Sequence, residues 1–139
     1  MSRGVKDMKT MNMAERLIKK ILQKEALIGI IGMGYVGLPL VLRFCEEDFR
    51  VLGFDVDSKK VATLKRGKSY LKSISSSRIS QFVRSGHLNV TDDFSRLDEP
   101  DCILICVPTP LTEKMEPDLQ YIDKTTVAIR EHLRRGQLI

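Results

Sequence analysis

Tryptophan is absent from this 139-residue chain, and aromatic residues make up only 6% of it. Proteins that hold single-stranded nucleic acid stack bases on aromatic side chains set in a basic groove, and few such platforms are available here. The charge map agrees. Lysine and arginine exceed aspartate and glutamate by five, but residues 1–25 hold seven basic and three acidic side chains, leaving a net +1 for residues 26–139. No basic stripe crosses the body of the chain, so no nucleic-acid partner is expected. Cysteine is scarce and odd in number, three in all, which argues against a disulfide framework and for a reducing compartment. The opening MSRGVKDMKT is polar with no apolar run behind it, so a secretory leader is not expected. Residues 26–42, ALIGIIGMGYVGLPLVL, carry no charge, yet four glycines and a proline interrupt them, and a membrane span takes about 20 mostly apolar residues. The expectation is a cytoplasmic chain with no membrane partner.

What is present is a globular composition, 42% hydrophobic and 29% charged, long enough for one domain with its own core. Residues 11–24 read as an amphipathic helix, with Met13, Leu17, Ile18, Ile21 and Leu22 at helical spacing and Lys19, Lys20 and Lys24 opposite. It is expected to pack on its own domain or on a second subunit; a partner or membrane surface is the alternative. From Leu27 onward short apolar runs alternate with helical segments. The predicted strands are Leu27–Ile31, Arg50–Asp55, Leu88–Thr91 and Asp101–Val107. The predicted helices are Tyr35–Asp48, Ser58–Arg66 (capped by Ser58 and closed by Gly67), Ser76–Ser85 before Gly86, and Leu119–Arg135. Asp118 caps the last of these, Arg130, Arg134 and Arg135 complement its dipole, and Gly136 ends it. Gln137–Ile139 reads as the start of a fifth strand. Alternation of this kind implies an α/β, Rossmann-like, doubly wound parallel sheet with helices on both faces, here truncated at the fifth strand and preceded by the amphipathic helix.

The most informative segment is Gly32-Met33-Gly34-Tyr35-Val36-Gly37. A bare GxGxxG is weak, but this one follows a buried strand, opens a helix, and has an acidic residue, Asp55, eighteen positions after its last glycine. Gly32 permits the tight turn, Gly34 lets the backbone approach a pyrophosphate, and Gly37 lets the helix lie close to the sheet. Amides at the helix start hold phosphate oxygens, and an Asp55 carboxylate accepts from an adenosine ribose while repelling a 2′-phosphate. That pattern selects NAD over NADP. Lys59 and Lys60 qualify the choice: they receive a 2′-phosphate, open the next helix as solvated residues, or touch the pyrophosphate side. The alternative for the whole segment is a glycine-rich turn that binds nothing, with Asp55 as a strand-end cap. The ligand edge of such a sheet lies between its first and fourth strands, so Val107, Pro108 and Thr109 fall beside the path from ribose to nicotinamide. Thr109 is the best polar handle on a loop stiffened by Pro108 and Pro110.

These residues are similar to the amino-terminal domain of the UDP-glucose/GDP-mannose dehydrogenase family. The likeness runs through GIIGMGYVGLPL, GFDVD, GKSYL, TDDFSRL, ICVPTPL and EPDLQYI. The segments SGHLNVTDDFSRL and PTPLTEKMEPDL resemble the UDP-N-acetylglucosamine 6-dehydrogenase branch most. The resemblance implies oxidation of the C6 hydroxyl of a UDP-sugar to the uronate in two NAD-dependent steps, through an enzyme-bound thiohemiacetal and thioester, in polysaccharide precursor biosynthesis. It also implies a homodimer or higher oligomer for the complete enzyme. By resemblance Gly32, Gly34, Gly37, Asp55, Lys60, Pro108 and Thr109 match cofactor-side positions, and Met33 fills a variable slot. The cofactor-binding set is therefore Gly32, Met33, Gly34, Tyr35, Val36, Gly37, Asp55, Lys60, Val107, Pro108 and Thr109. Residues 1–25 form the leader and 26–139 the NAD-binding domain.

No segment here resembles the family's Cys-Phe-Pro-Lys-Asp nucleophile, so no catalytic residue is assigned and the chain alone is expected to be inactive. Cys102 and Cys106, four apart in a predicted strand, would be about 13 Å apart, beyond disulfide reach. With Cys45 they read as small buried hydrophobes. His87 and His132 lack ligand spacing, and no metal site is expected. The other functional reading is a non-catalytic dinucleotide-binding or regulatory module that acts with a partner chain.

Overall fold

The computed structural model describes residues 10–139. Four parallel strands, β1 (Leu27–Ile31), β2 (Arg50–Phe54), β3 (Leu88–Thr91) and β4 (Cys102–Ile105), pair in the order β3-β2-β1-β4. The chain thus starts in mid-sheet, runs outward to β3, and returns to the other side of β1. The reversal falls between β1 and β4, where carboxyl-terminal loops diverge and a crevice opens. Register is continuous across the sheet, with Gly29 opposite both Leu52 and Ile103.

Helices cover both faces. The helices are α1 (Met13–Leu22), α2 (Gly37–Glu46), α3 (Ser58–Lys65), α4 (Ser76–Ser85) and α5 (Gln120–His132), with a 3-10 helix at Phe94–Asp98. Strand alternation sorts the core into two layers. Ile28, Ile30, Val51, Val90 and Cys102 face a cluster with Leu38, Val41, Leu42 and Leu64, whereas Ile31, Leu52, Phe54 and Ile103 face Leu97 and Ile129. Phe54, Ile30, Ile31 and Leu52 are almost completely buried, each stabilising the fold by about 1.5–3 kcal/mol relative to exposure. No helix among the described residues is long and apolar enough to cross a membrane.

The predicted strands and helices are all present; β1, β3 and α4 have the expected bounds and the others are shorter. Helix α2 starts at Gly37 rather than Tyr35, and β4 stops at Ile105, so Cys106 lies past the strand. Helix α1 begins at Met13 because Asn12 caps it reciprocally with Glu15, at 2.9 and 3.0 Å. Asp57, not Ser58, caps α3 by accepting from the Lys59 and Lys60 amides. Asp118 accepts from the Gln120 amide at 3.0 Å, but the cap position of α5 is Leu119, which makes no side-chain cap bond, so Asp118 stands one residue before the place expected for it. That helix ends at His132, so Arg134 and Arg135 do not lie in its last turn. Leu138 forms a parallel bridge with Cys102, one step of the expected fifth strand.

Arg134 serves the opposite edge of the sheet instead. Its guanidinium donates to the Asp98 and Pro100 carbonyls and, at 3.0 Å, to Asp101. The buried Asp101 carboxylate also accepts from Lys20 of α1 and from the Leu27 amide, both at 2.9 Å. Burial pushes the Asp101 carboxyl up, but the hydrogen bonds from Lys20, Leu27 and Arg134 outweigh it and hold the group below the usual carboxylate range. A depressed folded pKa contributes stability that is present above the unfolded value and lost as pH falls through the folded one. Asp101→Asn should therefore cost about 1–3 kcal/mol at neutral pH, with the gap to wild type closing below about pH 4. Thermal melts across pH check this; a gap that is constant down to pH 2 would contradict it.

Candidate dinucleotide site

At the carboxyl edge of the sheet, three turns surround a cavity of about 900 Å³. The turn after β1 contributes Gly32, Gly34, Tyr35 and Val36. The turn after β2 contributes Asp55, Val56, Asp57 and Lys60. The loop after β4 contributes Cys106, Val107, Pro108 and Thr109. These turns meet because of how closely the first and third glycines of the fingerprint, Gly32 and Gly37, pack. Gly32 has φ +98°, and its amide donates to the Phe54 carbonyl at 2.8 Å, carrying the β1–β2 ladder one residue past the strand. A Cβ on Gly37 would stand 1.7 Å from the Gly32 carbonyl oxygen, so α2 reaches this proximity to β1 only with glycine there.

Gly34 is different. A Cβ there would meet nothing within 4 Å, and its φ is not in the left-handed region. Nothing in the protein's own packing requires glycine at this position; what needs the space is whatever enters the cavity. Helix α2 begins beside it with no side-chain cap; the Leu38 amide bonds the Gly34 carbonyl and Pro39 carries no N–H, so what the helix start offers an anion is the positive end of its dipole.

Asp55 is buried at the end of β2. One carboxylate oxygen accepts from the Met33 amide and the other from the Asp57 amide, both at 2.9 Å. Each oxygen keeps a further lone pair, enough to accept from a vicinal diol. Tyr70, from the segment between α3 and α4, donates its hydroxyl to the Met33 carbonyl. Burial pushes the Tyr70 phenol well above its ordinary range, and the charges of Asp55 and Asp57 push it further, so it remains a donor. The Lys60 ammonium lies 5.7 Å from the Tyr70 ring centroid.

The cavity thus offers an anion-binding helix start, a carboxylate acceptor, and an apolar wall of Val56, Phe94, Val107 and Ala128. A molecule joining a diphosphate to two ribosides and planar rings matches that set. Two members of the sequence-derived set lie off the lining. Met33 is fully buried, its sulfur packed where a Cβ on Gly53 would come within 2.7 Å, so it acts through its main chain alone. Gly37 stands behind the lining and acts by packing. Residues missed in the sequence are Tyr70, the lining residues Val56, Asp57 and Phe94, and the face of α5 that carries Tyr121, Lys124, Thr125 and Ala128. The spacing of that face, three or four residues per step, is the signal that was available.

None of the three cysteines is disulfide-bonded. Burial, with a contribution from Glu46, pushes the Cys45 thiol up to about 12, and burial also raises Cys102 and Cys106. All three remain thiols at neutral pH, a poor state for a nucleophile.

The sequence profile of the "UDP-glucose/GDP-mannose dehydrogenase family, NAD binding domain" matches residues 26–139. The chain belongs to this family. Its domain is the NAD-binding domain, and NAD is its cofactor. Relatives within the family include a UDP-N-acetyl-D-mannosamine dehydrogenase of Pyrococcus horikoshii, 30% identical over 81% of this chain and 27% of that protein. A UDP-N-acetyl-D-glucosamine 6-dehydrogenase of Salmonella typhi is 32% identical over 83% of this chain and 26% of that protein. Among solved structures, an NDP-N-acetyl-D-galactosaminuronic acid dehydrogenase from Methanosarcina mazei superposes with a TM-score of 0.77 at 31% identity, over 93% of this chain and 29% of that one. The chain spans about a quarter of the length of the curated relatives it matches. Their names give different sugars at nearly equal identity, so the likeness marks the family and the cofactor domain.

The two glycines predict opposite outcomes. Gly37→Ala should destabilise by about 3 kcal/mol or more because backbone must move, while Gly34→Ala should stay within about 0.5 kcal/mol of wild type. Chemical denaturation of both variants checks this; equal midpoints would contradict the packing described.

Proposed function

We propose that this chain supplies the cofactor half of a nucleotide-sugar 6-dehydrogenase, with the leader at residues 1–25 and the NAD-binding domain at 26–139. The Gly34, Tyr35 and Val36 main chain would hold the pyrophosphate against the start of α2. Asp55 would accept from the adenosine ribose, with Lys60 nearby, and Val107, Pro108 and Thr109 would border the nicotinamide side. NAD, when bound, supplies the hydride acceptor. The chain's own residues orient it, keep a negative charge away from the 2′ position, and wall one side of the crevice with apolar side chains. The observation that carries this reading is the empty space over Gly34 at the uncapped start of α2.

The reaction proposed for the whole enzyme is oxidation of the C6 hydroxyl of a UDP-sugar to the uronate. UDP-N-acetylglucosamine is the favoured sugar, on the strength of the SGHLNVTDDFSRL and PTPLTEKMEPDL segments and of relatives that carry that name. A four-electron oxidation of this type needs a thiolate beside C6 to hold the aldehyde level. The one cysteine on the cavity lining, Cys106, has its thiol pushed up by burial. That observation favours, as a second reading, a non-catalytic dinucleotide-binding module acting with a partner chain.

Calorimetric titration should show NAD binding, with NADP at least about tenfold weaker. Gly34→Val should abolish NAD binding and leave the circular dichroism unchanged; wild-type affinity in that variant would refute the phosphate position. The 139-residue chain should also produce no NADH from UDP-N-acetylglucosamine or UDP-glucose. Sustained absorbance growth at the NADH band would show that its own residues complete the chemistry.

A further inference from the structure

A second cavity, of about 570 Å³, opens at the amino edge of the sheet, and the cofactor reading makes no use of it. Helix α1 and the turn after α5 form its walls, and it shares no lining residue with the dinucleotide crevice. Arg16, Lys19 and Lys20 reach it from the helix, and Arg134 and Arg135 from the turn. Against these five cations the lining holds two carboxylates, Glu25 and Asp101, which leaves a surplus of three positive charges. A recess dominated by one sign of charge concentrates ions of the other.

The cations fall into two groups. Lys20 and Arg134 share one oxygen of the buried Asp101 carboxylate, at 2.9 and 3.0 Å, and are fixed by it. Arg134 also donates to the Asp98 and Pro100 carbonyls, which holds the turn in place. Arg16, Lys19 and Arg135 are not spent in this way. Among the described residues no carboxylate pairs with any of the three. Arg16 gives its Nε to the Met11 carbonyl and keeps its two terminal amino groups, and Lys19 is half-buried on the cavity wall. Like charges repel, so folding alone gains nothing from gathering these three at one recess.

We propose that this recess is a second anion site, built for a diphosphate group. A terminal phosphate carries about −1.5 to −2, short of the surplus, and a second linked phosphate brings the charge to about −3. The free cations stand on two walls, which suits a group with oxygens at both ends, and guanidinium forks take phosphate oxygens in pairs. Met13 and Leu17 line the α1 side and offer an apolar surface to whatever the diphosphate carries.

Calorimetric titration of the NAD-saturated chain with inorganic pyrophosphate and with ADP tests this, because saturation takes the dinucleotide crevice out of the competition. One diphosphate should bind per chain. Lys19→Ala combined with Arg135→Ala should weaken it about tenfold or more without lowering the melting temperature, since neither side chain holds the fold. A control pair, Lys65→Ala with Lys72→Ala, removes the same charge from exposed positions off the lining and should leave the affinity as it is. Tighter binding of ADP than of pyrophosphate would place an organic group on Met13 and Leu17; equal affinity would assign the bare diphosphate. No binding of either, or an equal loss in both variant pairs, would overturn the proposal. A chain that fails to bind NAD would refute the cofactor reading alone, and the comparison of the two variant pairs would still decide this one.

Discussion

One buried carboxylate ties together the turns on which the site depends. Asp55 accepts from the Met33 amide in the turn after β1 and from the Asp57 amide in the turn after β2, at 2.9 Å each. Charge-assisted bonds to backbone N–H groups are among the stronger ones a protein makes, and here they join two loops that share no other covalent or helical constraint. Tyr70 holds the next peptide by donating to the Met33 carbonyl. Both peptide groups that flank the Met33 Cα, the Gly32–Met33 and Met33–Gly34 units, are therefore anchored. A side chain that orders the loop and also faces the cavity leaves little adjustment to be made when a ligand binds, which is the physical content of preorganisation.

Much of this was legible along the chain, because it rests on local periodicity and on residues with unusual backbone needs. Leu27–Ile31 and Leu88–Thr91 are continuous or alternating apolar runs between turn residues, and the strands occupy those spans. Gly67 and Gly86 follow helices and take positive φ, as helix-ending glycines do. The glycine fingerprint, Asp55, Lys60 and the loop after β4 converge on one cavity because the strand order puts β1 between β2 and β4. What was not legible depends on contacts between distant segments. Nothing near Tyr70 announces that its hydroxyl reaches Met33, and nothing near Arg134 announces that it serves the Asp101 edge rather than the end of α5. Asp57 and Ser58 are both good caps, and only the extended backbone at Asp57 decides between them. Met33 looked like part of the ligand loop by position, yet its side chain is needed to fill the space that Gly53 leaves open.

The two ends of the sheet carry two unlike charge arrangements. At the ligand end, Asp55, Asp57, Lys60 and Lys124 line a largely apolar crevice. At the far end, Asp101 gathers Lys20, Arg134 and the Leu27 amide, fastening α1 and the segment after α5 to the strands. Burial makes an unpaired carboxylate expensive at either place, so each is matched by donors from two or more elements. The fold thereby separates the residues that hold it together at one edge from those available to the cofactor at the other.

The central claim is that the glycine turn, the start of α2 and Asp55 form one preorganised cradle for NAD. A crystal structure of the chain grown with NAD tests this most directly. The account predicts the pyrophosphate against the main chain of Gly34, Tyr35 and Val36, the adenosine ribose on Asp55, and a β1–α2 turn unmoved from the one described here. NAD bound elsewhere, or a turn that must rebuild to admit it, would contradict the account.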